Sequence, residues 1–301
     1  MSGAGDAFAP TWAERRRRFP GLRLLIPTAG LAPMVVWMAL FFVAPMVVML
    51  VYSFWSVEDF QFRREFTLGN YRELLTEPLA YRAFVLSLQL ALATTLANVI
   101  LAFPLAWFLA KRAGRFRLLL VILVILPFWT SFILRGYAWK LLLGDHGILN
   151  EGLQFLGLTE QPISAFLYSP LATGIGLVYV FLPLTVLPLY AVLEKMPDSL
   201  LEAAADLGAP AWRRFLEVIL PAAAPGLAVG GAFTFVFAMG EYVIPQLLGG
   251  GKSLLFGQAI VLQIETQQDY ASAAAMSMAL MLLTLVVVGA VAKLVRIESV
   301  V

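Results

Sequence analysis

The chain has 301 residues, 61% hydrophobic and 13% charged, with a formal net charge of +2. Soluble domains carry about 25% charged residues, so this composition excludes a water-soluble globular protein and points to an integral membrane one. Cysteine is absent, which excludes disulfides, thiolate nucleophiles and Cys-ligated metals, and the basic residues form no interleaved patch of the kind that binds nucleic acid.

Residues 1–25 are expected to form a flexible cytoplasmic tail, ahead of a membrane domain over 26–301. The Arg15–Arg18 run precedes an apolar stretch as in a signal peptide, even a twin-arginine one. That stretch is longer than the ~7–15 residues of a signal-peptide core, so an uncleaved first membrane helix is the better reading. Uncharged runs cover 24–57, 83–110, 118–134, 161–193, 218–240 and 270–292. Five exceed the roughly 20 residues that cross about 30 Å of hydrocarbon as a helix. The third is short and is expected to extend past Arg135 towards Lys140, with those side chains reaching the interface. Six transmembrane helices result. Pro33 and Pro45 are tolerated in the first, the segment 66–75 after it has an apolar face suited to the membrane surface, Pro183 and Pro188 interrupt the fourth, and the fifth starts near Pro225.

With the N-terminus inside, the inner segments hold fourteen of the 21 Lys and Arg residues: the five N-terminal arginines, Lys111, Arg112, Arg115, Arg117, Lys195, Arg213, Arg214, Lys293 and Arg296. The positive-inside rule therefore places both termini in the cytoplasm.

The inner loop between the fourth and fifth spans reads LEAAADLGAPAWRRFLEVILPAAAPG over 201–226. Pro197-Asp198-Ser199 stops one helix and starts another, and Ser199 with Glu202 fits a capping box. Ala203, Ala204 and Ala205 favour helix and carry almost no bulk, so another surface can approach closely. Gly208 suits a positive-φ helix end, and Pro210 suits the first turn of the next helix. That second helix offers Trp212, Arg213, Arg214 and Phe215 as a docking surface, since an amphipathic helix laid in a partner's groove is a common recognition mode. The plainer reading is a loop packed on its own bundle, with Glu202 only a helix start.

The spacing resembles the EAA loop of ABC importer permeases: Glu202, Ala203 and Ala204, then Gly208, then Leu220 and Pro221, with Pro225-Gly226 downstream. The resemblance implies an all-α type I importer permease fold with its transmembrane core at about 83–294 and its coupling loop at 199–221. It implies a multi-pass protein in the lipid of the bacterial inner membrane, paired with a second permease subunit. A dimer of cytoplasmic ATPase subunits would receive the coupling helix, and a periplasmic protein would deliver the solute. No catalytic residue or cofactor is implied for this chain. The segments 125–150 and 240–250, with Asp269-Tyr270 and Ala273-Ala274, are similar to the polyamine branch of these permeases. That branch implies putrescine or spermidine as solute and two different permeases as partners. Its relatives also carry amino-acid-like solutes, opines or phosphonates.

Glu241 is the one acid within or at the edge of a span, about 24 Å along the fifth helix from Pro225. Pro245 has no N–H for the carbonyl of Glu241, so a carboxylate and a freed carbonyl are expected together, both attractive to a cation. Glu241 and Tyr242, with Trp129 and Tyr137 from the outer end of the third helix, are candidates for the substrate path. The plainer readings are a hydrated interfacial acid and, for Phe128, Trp129, Tyr137 and Trp139, an aromatic belt; the alternative for the rings is a gate that stacks on ammonium groups. Gly226 and Gly230 form a GxxxG pair suited to close helix packing.

Gly251-Lys252-Ser253 resembles the end of a phosphate-binding loop, but Gln246 stands where that loop requires glycine, so ATP is left to a separate subunit. His146 is the single histidine, with no acidic cluster or cysteine to build a metal site. A secondary transporter would show repeat symmetry and several intramembrane charges, and a membrane enzyme would show clustered acids or histidines. Neither pattern is present.

Overall fold

The computed structural model describes residues 31–58, 61–251 and 253–298. The expected tail over 1–25, with Arg15–Arg18, and Lys252 of the rejected phosphate loop lie outside the described residues. The chain divides into two compact units, Met1–Tyr52 and Ser53–Val301.

In the first unit, helix α1 covers Leu31–Tyr52. Its segment Ala39–Val43 is a π-turn, closed by Ala44 N–H donating to Ala39 O. The sequence explains the widening. Pro45 has no N–H for the carbonyl of Phe41, and the turn ahead of it relaxes to longer-range bonds.

The second unit opens with two short antiparallel strands, β1 (Ser56–Glu58) and β2 (Gln61–Arg63), in register Ser56 with Arg63. The remaining elements are helices: α2 (Gly69–Thr76), α3 (Pro78–Lys111), α4 (Arg117–Ile125), α5 (Phe132–Leu143), α6 (Ile148–Phe155), α7 (Pro170–Lys195), α8 (Ser199–Asp206), α9 (Ala211–Arg214), α10 (Leu220–Gly240), α11 (Val243–Leu248), α12 (Phe256–Glu265) and α13 (Tyr270–Glu298). Helix α2 carries the segment expected on the membrane surface. It packs against α3 and α13, and the Asn70 amide donates to Ser53 O (2.9 Å) and Trp55 O (2.7 Å).

Helices α3, α7 and α10 pack on one another, and α13 packs on α10. The pattern of α3 is inside-out for a soluble protein. Ser87, Ala91, Thr94, Asn98, Ala102 and Ala106 recur at helical spacing and are buried, whereas Leu92, Leu96 and Ile100 are exposed. Small residues let helices approach in a membrane, where burial of Leu against lipid brings no advantage over burial against protein. The GxxxG pair behaves in that way at the α7–α10 seam. A Cβ on Gly226 would stand 2.8 Å from Leu189 Cα, and one on Gly230 2.8 Å from Thr185 Cα. Thr185 and Thr234 share a hydrogen bond of 2.7 Å across the same seam.

Three expectations change. The expected third span is not one continuous helix, because Gly114–Trp129 and Phe132–Phe155 meet at a bend of 95°. Pro127 sits in a 3-10 turn at the end of α4, and Thr130 is extended (φ −89, ψ 150) before α5 begins. Among the described residues, five helices are long and apolar enough to cross a membrane, or six if the bent pair counts as one span. Pro183 and Pro188 lie inside α7 without interrupting it. The fifth helix begins not near Pro225 but at Ala211, and runs unbroken to Gly240. Its segment Phe215–Ile219 is another π-turn, with Leu220 N–H donating to Phe215 O. The cause is that of the first helix: Pro221 cannot donate to Glu217, four residues back.

Candidate functional site

The hairpin is built from α8, a tight turn and the α9–α10 helix. Backbone at Asp198 is already helical (φ −66, ψ −26), and no side chain caps α8. The expected Ser199–Glu202 capping box therefore does not form. Ser199 falls inside the helix, and the Asp198 carboxylate is engaged by Lys111 at 2.7 Å. The other end matches its sequence. Gly208 has φ +76, Gly208 N–H donates to Ala205 O at 2.9 Å, and Ala209 N–H donates to Ala204 O at 3.0 Å. This is a Schellman end, which needs the left-handed residue that glycine supplies. Pro210 precedes α9 as its N-cap, one position earlier than expected.

The outer face of this hairpin is exposed among the described residues. Glu202 and Ala203 are exposed and Ala204 half-buried, Trp212 is 64% exposed, and Leu207 at the tip is 87% exposed. A cleft of about 390 Å³ opens between Ala204, Leu207, Gly208, Arg213, Arg214 and Glu217. Arg213 is held by Glu217 at 2.8 Å. Phe215 is turned partly inward, its ring edge-on to Phe103 with centroids 5.2 Å apart. Leu220 and Pro221 sit where α9 becomes α10, at the π-turn. The apolar tip at Leu207, with Leu200 and Leu216 also exposed, escaped the reading of the motif. Its signal was leucine in a turn, 203–211, otherwise made of small residues, an aspartate and a proline.

At the far end of α10, Glu241 stands just past the helix, extended (φ −73, ψ 133). Its Oε1 accepts from Val243 N–H (2.7 Å) and Ile244 N–H (3.2 Å), so the carboxylate caps α11. The expected freeing of its carbonyl by Pro245 does not apply, because no α-helical turn spans 241–245. That carbonyl faces Gly257 instead, where a Cβ would approach it to 2.9 Å. Tyr242 and Tyr137 are exposed and Trp129 is 79% exposed. Among the described residues, no hydrogen bond or ring contact joins Trp129 or Tyr137 to Glu241. The expected belt is also split, because Trp139 packs edge-on against Tyr179 at 5.4 Å.

Arg135 carries the expectation of an interface-seeking cation. Arg135 is 8% exposed. Its guanidinium lies over Phe132 (4.9 Å) and Phe128 (5.7 Å), which flank the bend. Its Nε and Nη1 are enclosed, with no hydrogen-bond acceptor among the described residues. Glu241 and Tyr179 are the charged and polar neighbours whose fields reach it. Next to it, Gly136 lets α5 press on α11, since a Cβ there would lie 2.4 Å from Leu247 Cδ1.

A family model described as binding-protein-dependent transport system inner membrane component matches residues 79–296. The spermidine/putrescine transport system permease protein PotB of Escherichia coli is 41% identical over 245 residues, 81% of this chain and 88% of that protein. The inner membrane ABC transporter permease protein YdcU of the same organism is 38% identical, covering 76% of each chain. Among solved structures, a bacterial alginate ABC transporter in complex with an alginate pentasaccharide-bound periplasmic protein matches with a TM-score of 0.69 and 18% identity, over 93% of this chain and 95% of that one. That likeness concerns the fold.

Proposed function

We propose a function on one premise: the chain belongs to the family of binding-protein-dependent transport system inner membrane components. It is the permease subunit of an ATP-driven ABC importer, set in the bacterial inner membrane and forming half of a translocation path for a small cationic solute of the putrescine or spermidine kind. It is not an enzyme; ATP is hydrolysed by a separate subunit. The observation that carries the importer reading is the hairpin, whose exposed apolar tip is continuous with a membrane-spanning helix. For the solute, the support is the name of the relative at 41% identity.

The finer assignments follow. The bent pair counts as one span, giving six, with both termini cytoplasmic and residues 1–25 a tail. The permease domain is 26–301, its core about 83–294, its coupling loop 199–221. Glu202, Ala203, Ala204, Gly208, Leu220 and Pro221 shape that loop, and Trp212, Arg213, Arg214 and Phe215 add docking surface for a dimer of ATPase subunits. Glu241, Tyr242, Trp129 and Tyr137 border the substrate path. A second, homologous permease completes the pore, and a periplasmic binding protein supplies the solute.

The test is reconstitution of the whole complex in proteoliposomes with labelled spermidine and putrescine. Uptake that requires ATP and the loaded binding protein is expected. Uptake of an amino-acid-like, opine or phosphonate solute in their place would reassign the substrate. Uptake driven by an ion gradient without ATP would make the chain a secondary transporter.

A further inference from the structure

The turn between α3 and α4, Lys111 to Arg117, has a sequence-level meaning only as inner positive charge. In the structure it grips the start of the hairpin. Lys111 Nζ donates to Met196 O at 2.6 Å and to Asp198 Oδ1 at 2.7 Å. Met196 is the C-cap of α7 and Asp198 the residue just before α8. Lys111 is itself the last residue of α3. One ammonium thus serves the negative ends of two helices at once, where the macrodipoles favour a cation. The lysine side chain is 11% exposed and its carboxylate partner 72% exposed, so the contact has an anchored side and a free side. Beside it, Arg117 Nη1 donates to Glu194 Oε1 at 2.7 Å, and its Nη2 donates to Ala110 O at 3.0 Å.

The connection between α7 and α8 is Met196-Pro197-Asp198, with little slack, since proline fixes its own φ and restricts the residue before it. On the other side of the hairpin, α9 runs without a break into α10, and Phe215 packs on Phe103 of α3. The hairpin is therefore tied to the bundle at both ends, and α3 takes part in both ties.

We propose that Lys111 is a positioning residue for energy coupling: it holds the start of α8 to α3, so that a displacement of the hairpin reaches α3 directly as well as through α10. This rests on the reading of 199–221 as the surface that docks on the ATPase. An isolated exposed ion pair contributes little. Lys111 differs because its ammonium is largely enclosed and also bonds a helix-terminal carbonyl, so its position is fixed rather than averaged over rotamers. A methionine would fill the same space without either bond.

The experiment uses the complete complex in nanodiscs and proteoliposomes, with Lys111→Met, Lys111→Arg and Asp198→Ala. Capture of the ATPase subunits, ATP hydrolysis without binding protein, hydrolysis stimulated by loaded binding protein, and solute taken up per ATP are read in parallel. Lys111→Met is expected to keep ATPase capture and unstimulated hydrolysis within about twofold, while uptake per ATP falls about tenfold or more. Lys111→Arg should restore uptake per ATP to within about threefold of wild type. Asp198→Ala, an exposed change that leaves the Met196 bond in place, should lose about threefold, and it decides the question alone if Lys111→Met does not assemble. Wild-type uptake per ATP in both Lys111→Met and Asp198→Ala, with the ATPase still bound, overturns the positioning role and leaves the docking reading intact. Failure of the wild-type chain to capture the ATPase overturns the docking reading and the positioning role with it.

Discussion

Glu241 combines two roles that one substitution can separate. As an acceptor it caps α11 through Oε1, and as a charge it marks the end of the fifth helix. Gln keeps an acceptor oxygen and loses the charge, whereas Ala loses both. If the charge draws a cationic solute, Glu241→Gln lowers uptake about tenfold in reconstituted complex while assembly persists. Wild-type uptake by the Gln variant, with loss only in Glu241→Ala, would reduce the residue to a cap. Arg135 poses the opposite question. A buried cation with unsatisfied donors costs stability, and apolar residues of similar volume often replace such groups without loss; its retention in a membrane helix argues for function. Arg135→Met is expected to match or exceed wild type in thermal stability while transport falls severalfold. A variant that is less stable yet transports normally would make Arg135 a structural staple of the bend.

At the scale of elements, the hairpin depends on its turn. Gly208 has open space where a Cβ would go, so a side chain there meets no clash, but the left-handed backbone costs a non-glycine residue about 1–2 kcal/mol. Gly208→Val should therefore distort the α8–α9 angle without expelling the chain from the membrane. Glu202→Lys leaves the turn alone and reverses an exposed charge in the first turn of α8, where the helix dipole favours an acid. Both variants are expected to lose solute uptake while the chain still inserts, assayed by membrane content and transport side by side. Full activity in both would remove residues 199–221 from coupling. The two π-turns show how a single residue propagates through an element. Pro45 and Pro221 each leave one carbonyl without a donor, and the helix answers by widening one turn earlier rather than breaking.

For the whole molecule, the absence of cysteine makes topology directly measurable. Single cysteines placed at Ala204 in α8 and at Gly251 beyond α11 should label from opposite sides of sealed inner-membrane vesicles, with Ala204 on the cytoplasmic side. Labelling of both from one side would contradict a bundle crossed by α10. The membrane class, most of the long helices, the Gly208 turn and the GxxxG seam are legible in the sequence, because they follow from run length, periodicity and the conformational preferences of glycine, all local properties. The sequence misplaced the start of the fifth helix and the capping of α8, and it did not show the bend after Pro127. At α8 the backbone is already helical at Asp198, which leaves Ser199 inside the helix, and after Pro127 the chain bends with α5 packed on α11. Packing alone encloses Arg135 over Phe128 and Phe132 and brings Lys111 to Met196 and Asp198. Those partners lie 85 and 87 residues away along the chain, and no periodicity or spacing encodes a contact that exists only once three helices have packed.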